Sequence, residues 1–430
     1  MKALENSNSS TRQRVLRLLA AAPALVLCLW GIWVAGSDGL SRIFSQYASL
    51  TSVMTAADQS VLLAPSDPEA HFARGLAATN AGALDEAIRE YERAVALRPR
   101  DYYLWLVLAD VRDQSGDQDG ALAASREAVR LAPFYAKPRW QLGNLLFRAG
   151  NMDEAFAELR HAASSDPTLL PAVIDLAWGS SQQNVQFVEA TIQPQTDASR
   201  LALARFFARH GKSADAVRYF RAAGVVSDKE RVSLLNDLLA ARQYRDAYDV
   251  WLSGHQSLVE ENGKSIASII DGGFEKTLNL EDKGFGWQLS RDASNLTFSI
   301  DAAEPREGAR SLRLDWKGDY NPVLPVLTQL LLVEPKTHYR LRFAARAQGI
   351  VTGGLPFVSV KDPGSKDDRP LGQSKALPQG TSPWSDYTIE FTTGNDTSAI
   401  LISLQRLNCG GGPCPIFGNL WLDDFSLQKN

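Results

Sequence analysis

The chain has 430 residues, a hydrophobic fraction of 45% and a formal net charge of −4. That length exceeds one compact domain and predicts two or three, each able to bury a core. With 45 basic against 49 acidic residues and no Lys/Arg cluster beyond the N-terminus, it lacks the basic face that phosphate neutralisation demands, which argues against a nucleic-acid partner.

Residues 1–17 hold Lys2, Arg12, Arg14 and Arg17 and read as a basic cytoplasmic N-terminus. The uncharged run 18–36 follows, LLAAAPALVLCLWGIWVAG, with Trp30 and Trp33 near its end. As a helix it reaches about 28 Å, close to a bilayer core of about 30 Å. It predicts a transmembrane helix, and the basic residues ahead of it put the bulk of the chain on the periplasmic or extracytoplasmic side. The alternative is a cleavable signal peptide, with Val34 and Gly36 as small residues before the cut. Such peptides usually have a core of about 7–15 residues.

Beyond the apolar run the sequence repeats. Prolines 65, 99, 133 and 167 share one interval, as do Gly82, Gly116 and Gly150, and Ala87, Ala121 and Ala155. Each unit reads as two helices. In ALDEAIREYERAVALRP, Ala87, Tyr91, Ala94 and Val95 recur at helical spacing, Gly82 falls in the turn before it and Pro99 stops the second helix. The units resemble tetratricopeptide repeats, on Gly75, Ala87, Tyr91 and Pro99 in the first, Trp105, Leu108-Ala109, Ala121 and Pro133 in the second, and Leu142-Gly143, Leu146, Ala155, Leu159 and Pro167 in the third. Ala78, Arg112 and Leu146 stand where an aromatic is usual, and Ser125 replaces a large residue. Later segments hold the pattern more loosely, on Gly211, Ala216, Phe220 and Ala223, then on Ala247 and Trp251. The expected α-solenoid of helical hairpins spans 44–258, with drifting terminal units.

The resemblance implies a protein-binding groove lined by the first helix of each unit. That face carries Tyr103, Asp110, Lys137, Trp140, Asn144 and Arg148; the last three are four apart and share one helix face. The competing expectation is that Trp140 is packing and the polar residues are solvated surface.

Past Lys264 the period changes to alternation. THYRLRFAAR sets Tyr339, Leu341 and Phe343 on one face, and RSLRLDW, WSDYTIEFT, SAILISLQR and GNLWLDDFSL read likewise as strands. Eight or nine strands over 270–430 predict an antiparallel β-sandwich of jelly-roll type. The fold class is therefore multidomain, α then β. The segment resembles carbohydrate-binding-module and galactose-binding-like jelly rolls, on Gly272-Gly273-Phe274-Glu275 with Trp287, Gly308 with Ser311-Leu312, Tyr339 with Phe343-Ala344-Ala345-Arg346, Trp384 with Tyr387, and Trp421-Leu422-Asp423-Asp424. That resemblance implies a structural Ca²⁺ held by Glu275 and Asp424, with the Ser311 carbonyl as a further ligand, the alternative being carboxylates that cap turns. It also implies sugar stacking, for which Trp316 and Tyr320 beside a Lys-Gly-Asp loop are the candidates. The same fold elsewhere serves adhesion or assembly without sugar.

Of the three cysteines, Cys28 lies in the apolar run, and Cys409 and Cys414 flank a Gly-Gly-Gly-Pro loop. Two cysteines without nearby His make a poor zinc site; a disulfide is the better reading than two free thiols and implies an oxidising compartment. No chemistry stands out. Gly211-Lys212-Ser213 and Gly263-Lys264-Ser265 have Phe206 and Leu258 where a phosphate loop needs glycine. His-Glu-x-x-His and Gly-x-Ser-x-Gly are absent from the sequence. Asp423 and Asp424 adjoin on a strand and point apart, and Asp367-Asp368 reads as solvated loop.

The expectation is a non-enzymatic, single-pass membrane-anchored scaffold without cofactors. It would hold an envelope protein in the groove and touch polysaccharide or a second partner with the sandwich, in assembly or secretion of an extracytoplasmic polymer. The alternatives are a glycan-binding surface adhesin with the repeats as spacer, and an enzyme with an unrecognised site in the sandwich.

Overall fold

A computed structural model describes residues 2–255, 268–276, 278, 283–290, 295–365, 369–410 and 413–430, with side chains from residue 25 onward. The Gly263-Lys264-Ser265 triplet and the Asp367-Asp368 pair lie outside the described residues. The chain divides into two compact units, Met1–Gln193 and Pro194–Asn430.

The first unit is helical: α1 (Lys2–Thr51), α2 (Met54–Leu63), α3 (Pro68–Asn80), α4 (Leu84–Leu97), α5 (Tyr102–Ser115), α6 (Gln118–Leu131), α7 (Ala136–Arg148), α8 (Met152–Ser165), a 3₁₀ turn at Pro167–Leu169, α9 (Leu170–Ser180) and α10 (Val185–Ile192). The period has a physical cause at each position. Gly82, Gly116 and Gly150 turn the chain between paired helices with φ of 75°, 88° and 82°, which glycine adopts without strain. At Gly75 and Gly143 the paired helices touch: a Cβ would sit 2.8 Å from Tyr91 Cε1 and 2.7 Å from Leu159 Cγ. Asp67, Asp101 and Asp117 cap α3, α5 and α6 by accepting from backbone N–H groups of the first turn. Arg112, at a position where the repeat usually has an aromatic, donates to the Gly120 carbonyl of α6 at 3.1 Å within its own hairpin and to Glu92 of α4 at 2.7 Å, so an ion pair ties it to the preceding one.

One further hairpin precedes the repeats. The C-terminal part of α1 packs on α2 and α3 through Ala48, Ala56, Ala57, Ala73 and Ala77, with Phe44 and Met54 against them. The Ser41 hydroxyl donates to the Ser60 carbonyl at 2.9 Å across this contact.

The expected membrane span at 18–36 needs correction. Among the described residues no helix is long and apolar enough to cross a membrane. The uncharged run 18–36 lies within α1, which continues past it through Asp38 and Arg42 to Thr51. The single-pass topology, with its cytoplasmic N-terminus and extracytoplasmic bulk, falls with the span.

The second unit joins four helices, α11 (Asp197–Arg209), α12 (Ser213–Ala222), α13 (Asp228–Ala240) and α14 (Tyr244–Leu252), to the sheets. Tyr248 and Trp251 of α14 pack on Phe285 with ring centroids 4.9 and 5.9 Å apart, and Arg242 donates to the Gly364 carbonyl at 2.6 Å. The ten strands are β1 (Gln288–Leu289), β2 (Leu296–Asp301), β3 (Ser311–Asp319), β4 (Leu327–Leu332), β5 (His338–Thr352), β6 (Pro356–Lys361), β7 (Gly372–Gln373), β8 (Gly380–Thr392), β9 (Ala399–Arg406) and β10 (Pro415–Lys429). They form two five-stranded antiparallel sheets, β1-β4-β9-β6-β7 and β2-β3-β10-β5-β8. One core lies between them, with Leu312, Leu341 and Leu420 from the second sheet against Val358, Ile400 and Leu404 from the first.

Candidate functional site

The first helix of each repeat, α3, α5 and α7, places its side chains in one continuous face. Phe72 on α3 meets Tyr103 on α5 with ring centroids 6.0 Å apart, and Lys137 on α7 sits 5.1 Å over the Tyr103 ring. Tyr103 remains 42% exposed. Farther along the same helices, Gln141 donates to Asp110, and Arg148 pairs with Asp113 at 2.6 Å. Crowding by the neighbouring helix holds the Asp110 carboxyl above the usual carboxylate range, while the Gln141 hydrogen bond and the Lys137 charge pull it back down.

Of the six expected groove residues, Tyr103 and Lys137 touch, and Asp110 and Arg148 are each tied to the adjacent helix. Asn144 donates to the Trp140 carbonyl of its own helix at 2.7 Å, and Trp140 is half-buried. The polar half of the face is thus largely engaged within the protein. Its aromatic half at Phe72 and Tyr103 is the part left open.

Sequence reasoning missed what continues this face toward the N-terminus. A groove of about 610 Å³ is lined by Arg42, Gln46 and Leu50 of α1, Glu69 and Phe72 of α3, and Arg98 after α4. Arg98 pairs with Glu69 at 2.7 Å. The 34-residue period offered a signal: Pro65 closes a unit that begins within α1, so the last part of α1 stands where a first helix would.

In the second unit the expected glycan residues are corrected. Trp316 and Tyr320 are 2% and 3% exposed and belong to the core between the sheets, so neither presents a ring face to a sugar. Trp316, in β3, is opposite Gly418 and Leu296 and points inward with Leu312 and Leu314, and Tyr320 follows the end of that strand.

The expected calcium ligands are not brought together as Glu275 and Asp424. Asp423, not Asp424, faces Glu275 across Gly273. Glu275 Oε1 accepts the N–H groups of Ala309 and Arg310 at 2.8 and 3.3 Å. Asp423 Oδ2 accepts those of Arg306 and Glu307 at 2.8 and 3.2 Å, and its Oδ1 accepts from Asp424 at 2.7 Å. These oxygens face donors, which a cation would have to displace, and Asp424 follows in a left-handed conformation at a bulge in β10. The residues as placed do not fit the ion. Among the described residues no group of three or more His, Cys, Asp or Glu side chains converges on a metal position. Ser311, fully buried, leaves its hydroxyl without a hydrogen-bond partner.

Cys409 and Cys414 are joined as a disulfide with Cα atoms 5.6 Å apart. Beside it the buried Arg406 guanidinium donates to the carbonyls of Tyr320 at 2.7 Å and Gly354 at 3.2 Å and to the Thr352 hydroxyl at 2.8 Å.

Comparison with known proteins bears on the helical part. The tetratricopeptide repeat family matches residues 68–101 in one profile and 106–169 in another. No curated protein sequence matches the chain. Solved structures that overlap it include YrrB, described as a TPR protein with an unusual peptide-binding site, at 19% identity over 38% of this chain and 88% of that one, with a TM-score of 0.31. MamA from Desulfovibrio magneticus RS-1 overlaps at 17% identity over 44% and 93%, with a TM-score of 0.29. The pilF protein of Pseudomonas aeruginosa does so at 14% identity over 54% and 95%, with a TM-score of 0.31. Residues 68–101 and 106–169 are tetratricopeptide repeats, followed along the chain by an antiparallel sheet domain.

Proposed function

We propose that this chain is a non-enzymatic scaffold that holds an extended peptide segment of a protein partner along the first helices of its repeats. The observation that carries this reading is the open aromatic face of Phe72 and Tyr103, continuous with the groove that Arg42, Leu50 and Glu69 line. Aromatic rings beside a concave, partly polar wall supply apolar contact, and a few charges fix orientation. Among the described residues the Arg42 guanidinium has no ion pair, whereas Arg98 is committed to Glu69. The peptide that suits this groove carries an apolar or aromatic side chain for Phe72 and a carboxylate for Arg42. No catalytic motif in the sequence competes with this role.

The polysaccharide contact expected of the sandwich is not carried forward, because its two stacking candidates lie in the core. Selection from a peptide library on the full chain, followed by titration of the best binder, tests the reading. Reversing the charge with Arg42→Glu should weaken an acidic-aromatic binder by about 10-fold or more. Enrichment of sequences indifferent to Arg42 and Phe72 would count against it.

A further inference from the structure

The last part of α1 buries one side and leaves another bare. Ser41, Ser45 and Ala48 are buried against the following helices, while Leu40, Ile43, Tyr47 and Leu50 are 50%, 63%, 53% and 86% exposed. Those four positions are spaced three, four and three apart, so they form one stripe. A repeat stack normally closes with a polar outer face. Here the outer face of the first hairpin is apolar.

The stripe extends without a break in spacing. Continuing the alternation of three and four toward the N-terminus gives Gly36, Trp33, Leu29 and Val26, and the last three are 73%, 58% and 63% exposed. The heptad flanks hold Leu25, Trp30 and Ile32, also exposed, so nearly all the exposed large side chains of α1 lie in one arc. A hydrophobic repeat of 3.5 residues is the period that two helices need to keep a seam together as they wind left-handed around each other. Covering the seam would remove roughly 800 Å² per chain from water, the size of a stable standard interface.

We propose that α1 pairs with α1 of a second copy of this chain, through the seam Val26, Leu29, Trp33, Leu40, Ile43 and Tyr47. The pairing is parallel and in register. That arrangement sets the wholly apolar stretch around Trp30 against itself, whereas an antiparallel one would lay it beside Arg42 and Gln46. The seam points away from the buried side of α1, and its six residues are separate from the groove lining, which takes only Leu50 at the end of the same stripe.

The test is sedimentation of the full chain over a range of concentrations, with Leu40→Glu/Tyr47→Glu as the seam variant. Both side chains are exposed, so the variant keeps its fold, which circular dichroism checks. A wild-type dimer, weakened about 100-fold or more in the variant, supports the pairing. A wild-type chain that is monomeric throughout, or a dimer that the variant leaves intact, overturns it. So does a monomer that binds uncharged lipid vesicles through the same residues, which would give the stripe a lipid surface instead. Register is read in a Cys28→Ser background: Leu40→Cys should cross-link to itself under mild oxidation and Asp38→Cys, on the opposite face, should not. Equal cross-linking of the two overturns the seam.

Discussion

His71 and Glu90, one on each helix of the first repeat, meet inside it with Nδ1 and Oε2 2.6 Å apart and both side chains buried. The other ring nitrogen of His71 reaches the Pro65 carbonyl at 2.9 Å, so both partners of the ring are acceptors. Glu90 also accepts from Arg93 at 2.9 Å and Arg74 at 3.4 Å, and Arg74 continues to Glu86 at 2.9 Å and Asp58 at 3.0 Å. This network ties α2, α3 and α4 together.

Removing one member should therefore expose the others. Glu90→Ala leaves buried donors without an acceptor, and breaking such a pair costs about 3–5 kcal/mol. Hydrogen exchange should show faster opening of α3 and α4, with the second unit unchanged. Unaltered protection in α3 would mean that apolar packing alone holds the hairpin.

Close approach between paired helices gives a second expectation. Gly143→Ala would press a methyl group into Leu159 and should destabilise the third repeat by about 1–3 kcal/mol. Gly179 has nothing within 4 Å of such a methyl group, so Gly179→Ala should be neutral or mildly stabilising. Thermal unfolding of the two variants side by side makes the comparison, and equal midpoints would contradict it.

The sandwich carries a pH dependence of known sign. Burial pushes the Asp423 carboxyl above the usual carboxylate range, against the pull of the Glu307, Asp424 and Arg306 N–H groups. A raised folded-state value favours folding at low pH, and that contribution is lost as pH rises through it. Asp301 works oppositely: hydrogen bonds from Trp421 and the Ala303 N–H hold it below the usual range, so its contribution is lost as pH falls. Following the carboxyl carbons by NMR between pH 2 and about 7 should find Asp423 titrating last of the pair. The reverse order would contradict the burial argument.

Trp316→Ala separates a core residue from a sugar platform. Truncating a buried Trp should cost about 3–5 kcal/mol, measured by denaturant unfolding of the second unit's signal. A variant as stable as the parent would return Trp316 to the surface.

The sequence made the repeats legible because their period is written in residues with obligatory roles. The turn glycines adopt positive φ, and Gly75 and Gly143 sit where helices touch. Strand alternation located the five longest strands, β3, β5, β8, β9 and β10, and left β2, β4 and β6 unplaced; β1 and β7 are two residues long and have no period to read. Trp316 shares the face of Leu312 and Leu314, so alternation points it to the core; its assignment with Tyr320 to a sugar platform rests on the resemblance and the neighbouring Lys-Gly-Asp loop instead. At Asp423 and Asp424 a bulge shifts the register, so the inward carboxylate is the first of the pair. The apolar run at 18–36 suggested a span by composition, whereas the helix that contains it runs on to Thr51 and ends as part of the repeat stack. The groove beside Arg42 stayed hidden for the same reason.

The most direct measurement is calorimetric titration of the selected peptide into the full chain and into Phe72→Ala, with circular dichroism to confirm folding. Phe72 is half-buried at the junction between the groove and the Tyr103 face, so its loss should cost about 2 kcal/mol of binding. That is about 30-fold in affinity, with a smaller loss in Tyr103→Ala. Equal affinity for the parent and for both folded variants would show that the partner binds elsewhere and that the repeats act as a spacer.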